Sequence, residues 1–149
     1  MLALVVLGES AFASPRAAFD KLKSLQGIWT IESNGKKLSI DATYDVASKN
    51  SVVTEYFGKE LSVFTIDKER LVMSHFCNIG NQPRLSLKET SNPDVLEFDM
   101  FEIGNSKSSE LPHVYKVIYD FTKKDRINLE LVWKNKGVDE SEKYLLSRK

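Results

Sequence analysis

Cysteine is almost absent. Cys77 stands alone in 149 residues, so no internal disulfide framework holds this chain together. Glycine (7) and proline (4) are too few for a collagenous chain or a flexible linker. Neither charge dominates, with 21 Lys+Arg against 21 Asp+Glu, which removes the broad electrostatic reason to expect nucleic-acid binding. No apolar run approaches the roughly 20 residues that a helix needs to cross a bilayer. What is present is 42% hydrophobic and 28% charged residues, a composition that excludes intrinsic disorder and fits one domain with its own core.

The chain opens on an apolar run, 1–7, followed by Ala11-Phe12-Ala13, a small-x-small triplet of the kind signal peptidase cuts after. Residues 1–13 therefore read as a signal peptide, residues 14–149 as the mature domain, and the location as periplasmic or secreted. The pattern is incomplete, because no Lys or Arg precedes the apolar run. The alternative is an apolar tail packed on the domain.

Beyond it, apolar residues at 18, 19, 22 and 25 follow helical spacing, with Ser14 as N-cap, Pro15 at the first helical position and Gly27 as the stop. From Gly27 the period changes to two. Asn34-Gly35 is the strongest hairpin signal, and strands are predicted at 28–33, 37–46, 51–57, 60–66, 71–77, 84–89, 95–101, 113–121, 126–134 and 138–147. Short polar links join them; only 102–112 is long. The even spacing predicts an all-β, antiparallel up-and-down barrel of about ten strands with one short N-terminal helix, since closure removes the two sheet edges. A β-sandwich is the rival.

The segment Leu25-Gln26-Gly27-Ile28-Trp29 is similar to the Gly-x-Trp opening of the calycins, among them lipocalins and fatty-acid-binding proteins. That resemblance implies that Trp29 closes one barrel end against a basic residue near the last strand, with Arg148 the first candidate and Arg126 the second. The segment 71–84, containing His75-Phe-Cys77 and Gly80-Asn-Gln82-Pro-Arg84, resembles small exported bacterial lipocalin-like proteins of unknown function. The chain departs from the fatty-acid-binding proteins: Asn34-Gly35 leaves no room for their helix pair, and Glu142-Lys143-Tyr144 offers no Arg-x-Tyr clamp. The resemblance implies a fold and brings no activity with it.

Alternation places His75 and Cys77 on one face with Leu71 and Met73, and places His113 with Tyr115, Val117, Tyr119 and Phe121. Both histidines and the thiol are thus expected inside one barrel, neutral to a lower pH than a free imidazole, with Glu55 the acidic residue suspected nearby. The link 102–112 precedes His113 and is where that strand's start can turn outward. The expected ligand-binding set is Met73, His75, Cys77, Gln82, Arg84, His113, Tyr115 and Trp133, holding a small apolar or amphipathic molecule without a cofactor. The alternatives are a metal or haem site built from His75, Cys77 and His113, and a thiol-dependent enzyme using Cys77 with a histidine base.

Overall fold

The computed structural model describes residues 12–149. The expected leader falls outside them except for Phe12 and Ala13. The helix α1 (Pro15–Lys23) begins where its cap predicts, the Ser14 hydroxyl accepting the Ala17 N–H at 3.2 Å. It buries Ala18, Phe19 and Leu22 on one side. It ends at Ser24, before Gly27 is reached.

Ten antiparallel strands follow: β1 (Gly27–Ser33), β2 (Lys36–Ala47), β3 (Val52–Phe57), β4 (Glu60–Asp67), β5 (Arg70–Phe76), β6 (Gln82–Lys88), β7 (Val95–Gly104), β8 (His113–Lys123), β9 (Arg126–Asn135) and β10 (Val138–Arg148). Asn34 (φ 51°) and Gly35 (φ 72°) turn β1 into β2 with both central residues left-handed, the twist that a two-residue hairpin requires. Each strand pairs with its sequence neighbours, and β1 also pairs with β10, Trp29 lying opposite Arg148 and Ile31 opposite Leu146. The sheet is therefore a closed barrel, and the sandwich alternative is excluded.

The interior is filled by the inward face of each strand. Phe64, Phe98 and Tyr119 meet edge to face, with centroids 5.8, 6.0 and 6.3 Å apart. Tyr44, Met73, Leu85 and Leu146 pack around them, all buried. Such packing leaves the barrel's middle occupied by its own side chains.

The two ends differ. At one, α1 packs on β4 and β5, and the Lys21 ammonium lies 2.6 Å from Asp94 at the approach to β7. Trp29 is buried there, its indole N–H donating to Leu25 O at 2.7 Å. Arg148 lays its guanidinium over the Trp29 ring at 4.4 Å and donates to Gln26 O (3.0 Å) and Ser24 O (2.9 Å). Gly27 has φ 129°, and a Cβ there would stand 3.3 Å from Arg148 Nη1, so both the backbone and the neighbouring cation demand glycine. The basic partner expected of Trp29 is Arg148. Among the described residues, no helix stands over the opposite end.

Replacing Arg148 by Ala removes the ring contact and both carbonyl contacts. Because the guanidinium is exposed, the expected loss is modest, about 1–2 kcal/mol in urea unfolding. Arg148→Lys should recover only part of it, since an ammonium lacks the planar fork. Equal unfolding midpoints for the parent and Arg148→Ala would show that this lock carries no stability.

Candidate functional site

The open end collects the residues with chemistry. Counting by twos from Phe64, Ser62 and Glu60 of β4 point inward; opposite them on β5 stand His75 and, just past its end, Cys77. Glu55 of β3 is also inward and 4% exposed. Its carboxylate accepts hydrogen bonds from Tyr44 (2.5 Å), Tyr119 (2.7 Å) and Ser62 (3.1 Å). The Ser62 hydroxyl also meets His75 Nδ1 at 3.1 Å. From the imidazole the chain of polar groups continues outward. His75 Nε2 lies 3.9 Å from Glu60 Oε2, too long for a hydrogen bond, and Nε2 has no hydrogen-bond partner among the described residues. Glu60 Oε1 receives the Cys77 thiol (3.4 Å) and the Asn78 backbone N–H (3.3 Å).

A polar line thus runs from the barrel's centre to its mouth: Tyr44 and Tyr119, Glu55, Ser62, His75, Glu60, Cys77. Burial governs its protonation. Desolvation raises Glu55 above the ordinary carboxyl value, opposed by the donors that favour its charged form. Tyr44 and Tyr119 are driven well upward, first by burial and then by the Glu55 charge. Burial lowers His75, and the Glu60 charge only partly offsets this. The Cys77 thiol is pushed up to about 11, chiefly by burial, with Glu60 adding to it.

The mouth itself holds a cavity of about 530 Å³, walled by Ile40, Phe57, Leu131, Trp133 and Tyr144, with Glu60, Lys59 and Glu142 among its polar residues. Phe57 and Tyr144 pack edge to face at 5.0 Å. The indole Nε1 of Trp133 has no hydrogen-bond partner among the described residues. A second cavity, about 470 Å³, lies beside the Asn34–Gly35 turn and over β8–β10, and includes no member of the polar line.

Of the expected lining residues, Met73, His75, Cys77 and Trp133 are on the inner face or at the mouth. The others are not. Gln82 and Arg84 point outward: Arg84 is bonded to Glu102 at 2.7 Å and stacked on Phe101, and Gln82 is exposed. Pro83 takes the buried position between them. The expected common face of β8 is broken by a bulge between Val114 and Lys116. Val114 pairs with Trp133, inside, and Val117 resumes the inner row. Tyr115 is thereby left outside, donating to Asp139 at 2.8 Å under the Lys134 ammonium. His113, opposite Lys134, is on that outer side as well. It is buried nonetheless, its Nδ1–H donating to Leu111 O at 2.8 Å. The loop before it is held to the β5–β6 turn by Asn81 on Pro112 O (2.8 Å) and Asn105 on Gly80 O (2.6 Å). The trio His75, Cys77 and His113 is not assembled. The group of potential ligands that does converge is Glu60, His75 and Cys77.

Glu60 went unnoticed in the sequence, although it shares inward parity with Ser62 and Phe64 and pairs next to the His-x-Cys strand. Glu55 reaches His75 only through Ser62.

The geometry defines a closed ten-stranded antiparallel barrel of calycin-like form, sealed at one end by Trp29 and Arg148 and polar at the other. Compared with family models and with curated proteins, the chain matches no family model and no curated relative.

Two outcomes follow for this polar line. Glu55, raised in the folded state, stabilises fully below its unfolded value near 4.5, and that contribution is lost as pH rises through the raised folded value. His75, lowered from 6.5, acts oppositely: as pH falls below 6.5 the unfolded chain takes up a proton that the fold refuses. Glu55→Gln keeps the acceptor for the tyrosines and donates to Ser62. It should gain on the parent as pH rises, and urea midpoints from pH 5 to 8 measure the gap; parallel profiles would refute a buried titrating Glu55. With its thiol near 11, Cys77 is about one part in a thousand thiolate at pH 8. Iodoacetamide should therefore modify it roughly a hundredfold more slowly in the folded, chelator-treated chain than in urea.

Proposed function

We propose that this chain is an exported, periplasmic or secreted small-molecule-binding protein of the lipocalin-like kind, taking a largely apolar ligand at the barrel mouth. The observation that carries this is the mouth cavity, about 530 Å³ and walled by Phe57, Leu131, Trp133 and Tyr144. Its size falls within the range of small-ligand sites, and its few polar groups are of the kind that orient a ligand whose apolar body is buried. Trp133 walls this cavity, and its indole N–H has no hydrogen-bond partner among the described residues. The filled centre supports seating at the mouth rather than threading through the barrel, because Phe64, Phe98 and Tyr119 occupy the path.

A thiol-dependent enzyme is less well supported. The thiol is raised, its carboxylate neighbour opposes ionisation, and His113 lies on the far side of the sheet. The outer cavity over β8–β10 includes no residue whose buried polar atom is without a partner among the described residues.

N-phenyl-1-naphthylamine, a neutral apolar fluorophore, tests the proposal. Saturable fluorescence enhancement at one probe per chain is expected, weakened about tenfold or more by Trp133→Leu. Tyr115→Phe, on the outer face, should leave it unchanged. Absence of saturable binding, or equal binding in Trp133→Leu, would overturn the mouth as the ligand site.

A further inference from the structure

We propose that Glu60, His75 and Cys77 form a mononuclear binding site for a divalent transition-metal ion of the zinc class, beside the mouth cavity that Glu60 lines. The proposal does not depend on the apolar-ligand reading. One ligand atom from each residue comes within 4.8 Å of the others. Cys77 Sγ and Glu60 Oε1 are 3.4 Å apart, and His75 Nε2 and Glu60 Oε2 are 3.9 Å apart. Tetrahedral zinc, with bonds of about 2.0–2.3 Å, needs ligand atoms separated by roughly 3.3–3.8 Å. Movements of about 1 Å or less in the Glu60 and Cys77 side chains would bring the set to that spacing.

The independent sign is the imidazole. His75 is 4% exposed, and its Nε2 is buried without a hydrogen-bond partner among the described residues. An orphaned ring nitrogen is costly unless something occupies its lone pair or its proton. Its other nitrogen is engaged. Ser62 sits 3.1 Å from Nδ1 and is itself bonded to Glu55. When Ser62 donates to the Glu55 carboxylate, its oxygen is free to accept Nδ1–H. Nε2 then bears the lone pair and faces Glu60. This is the outer-shell arrangement that orients metal-binding histidines, a carboxylate acting through an intervening hydroxyl. The Asn78 N–H on Glu60 Oε1 steers the second ligand in the same way.

The donor set selects the ion. One nitrogen, one sulfur and one oxygen suit borderline zinc-class ions and disfavour calcium and magnesium, which take oxygen ligands. As the metal–sulfur bond forms, Cys77 gives its proton to solvent. Thiolate and Glu60 carboxylate together then balance the ion's two positive charges. Three protein ligands leave a fourth tetrahedral position, the arrangement of open rather than structural zinc sites. Glu60 also lines the mouth cavity, so the site adjoins it.

Cobalt(II) titrated into the reduced full chain is the probe, with zinc(II) as competitor. The expected result is one cobalt per chain, a thiolate-to-cobalt charge-transfer band in the near ultraviolet, intense four-coordinate visible bands, and displacement by zinc. Cys77→Ser should lose the charge-transfer band. Glu60→Gln and His75→Gln should each weaken binding at least about tenfold. Because His75 is buried and its variant is at risk of misfolding, Glu60→Gln, at the mouth, carries the decision, with circular dichroism confirming its fold. No stoichiometric cobalt, cobalt without a thiolate band, or unchanged affinity in folded Glu60→Gln would each overturn the site. Naphthylamine binding reads the cavity separately, so failure of one does not imply failure of the other.

Discussion

A carboxyl group in the middle of a barrel constrains everything around it. Burying an ionised carboxylate costs several kcal/mol unless its oxygens are fully engaged, so Glu55 dictates what its neighbours must be. Tyr44, Ser62 and Tyr119 converge on it from β2, β4 and β8. The tyrosine from β8 crosses the interior to do so, and therefore ties opposite walls together. Apolar packing by Phe64 and Phe98 against that same ring keeps water out. The barrel's centre is consequently a satisfied polar knot inside an apolar shell of the protein's own side chains.

That arrangement divides the molecule by function. At the helix-capped end, Trp29, Arg148 and Gly27 fit one another closely enough that each limits what the others can be. Polarity increases in the other direction, through Ser62 and His75 to Glu60, where the His75–Glu60 separation exceeds hydrogen-bond length and Nε2 is left without a partner among the described residues. The Trp29–Arg148 lock and the Glu60–His75–Cys77 cluster thus stand at opposite ends, with the packed interior between them.

The fold was largely legible because an exposed strand face and a buried one leave a period of two. The residues from 113 to 121 show where this fails. His113, Tyr115, Val117, Tyr119 and Phe121 alternate without a break, yet a bulge at Tyr115 puts the first two outside. A bulge depends on the partner strand's register, and nothing in the local spacing announces it. Gln82 and Arg84 were misplaced for a related reason: chemical appeal suggested that they faced a ligand, while Pro83 is the residue that packs inward. His75 and Cys77 were correctly paired because two residues on one strand need no register. Glu60 joins them only through the β4–β5 ladder, a non-local fact. The resemblance in the Gly27-Ile28-Trp29 segment was more informative than its length suggests, since it led to Arg148 across the whole chain.

The seam between β1 and β10 also imposes an order in time. Thr30 and Ser147 bond across 117 positions of sequence. While the chain grows from its N-terminus, β1 has β2 for a neighbour and nothing on its other side, and every newly made strand is for a moment the sheet's raw edge. No local contact can substitute for the missing one, because Arg148, which covers Trp29, lies on β10. Closure is therefore a late event, since β10 is made only after the eight strands that lie between it and β1. During that interval the nascent meander presents unpaired backbone and uncovered aromatic side chains to its surroundings, a state open to capture by chaperones or to pairing with another copy's edge.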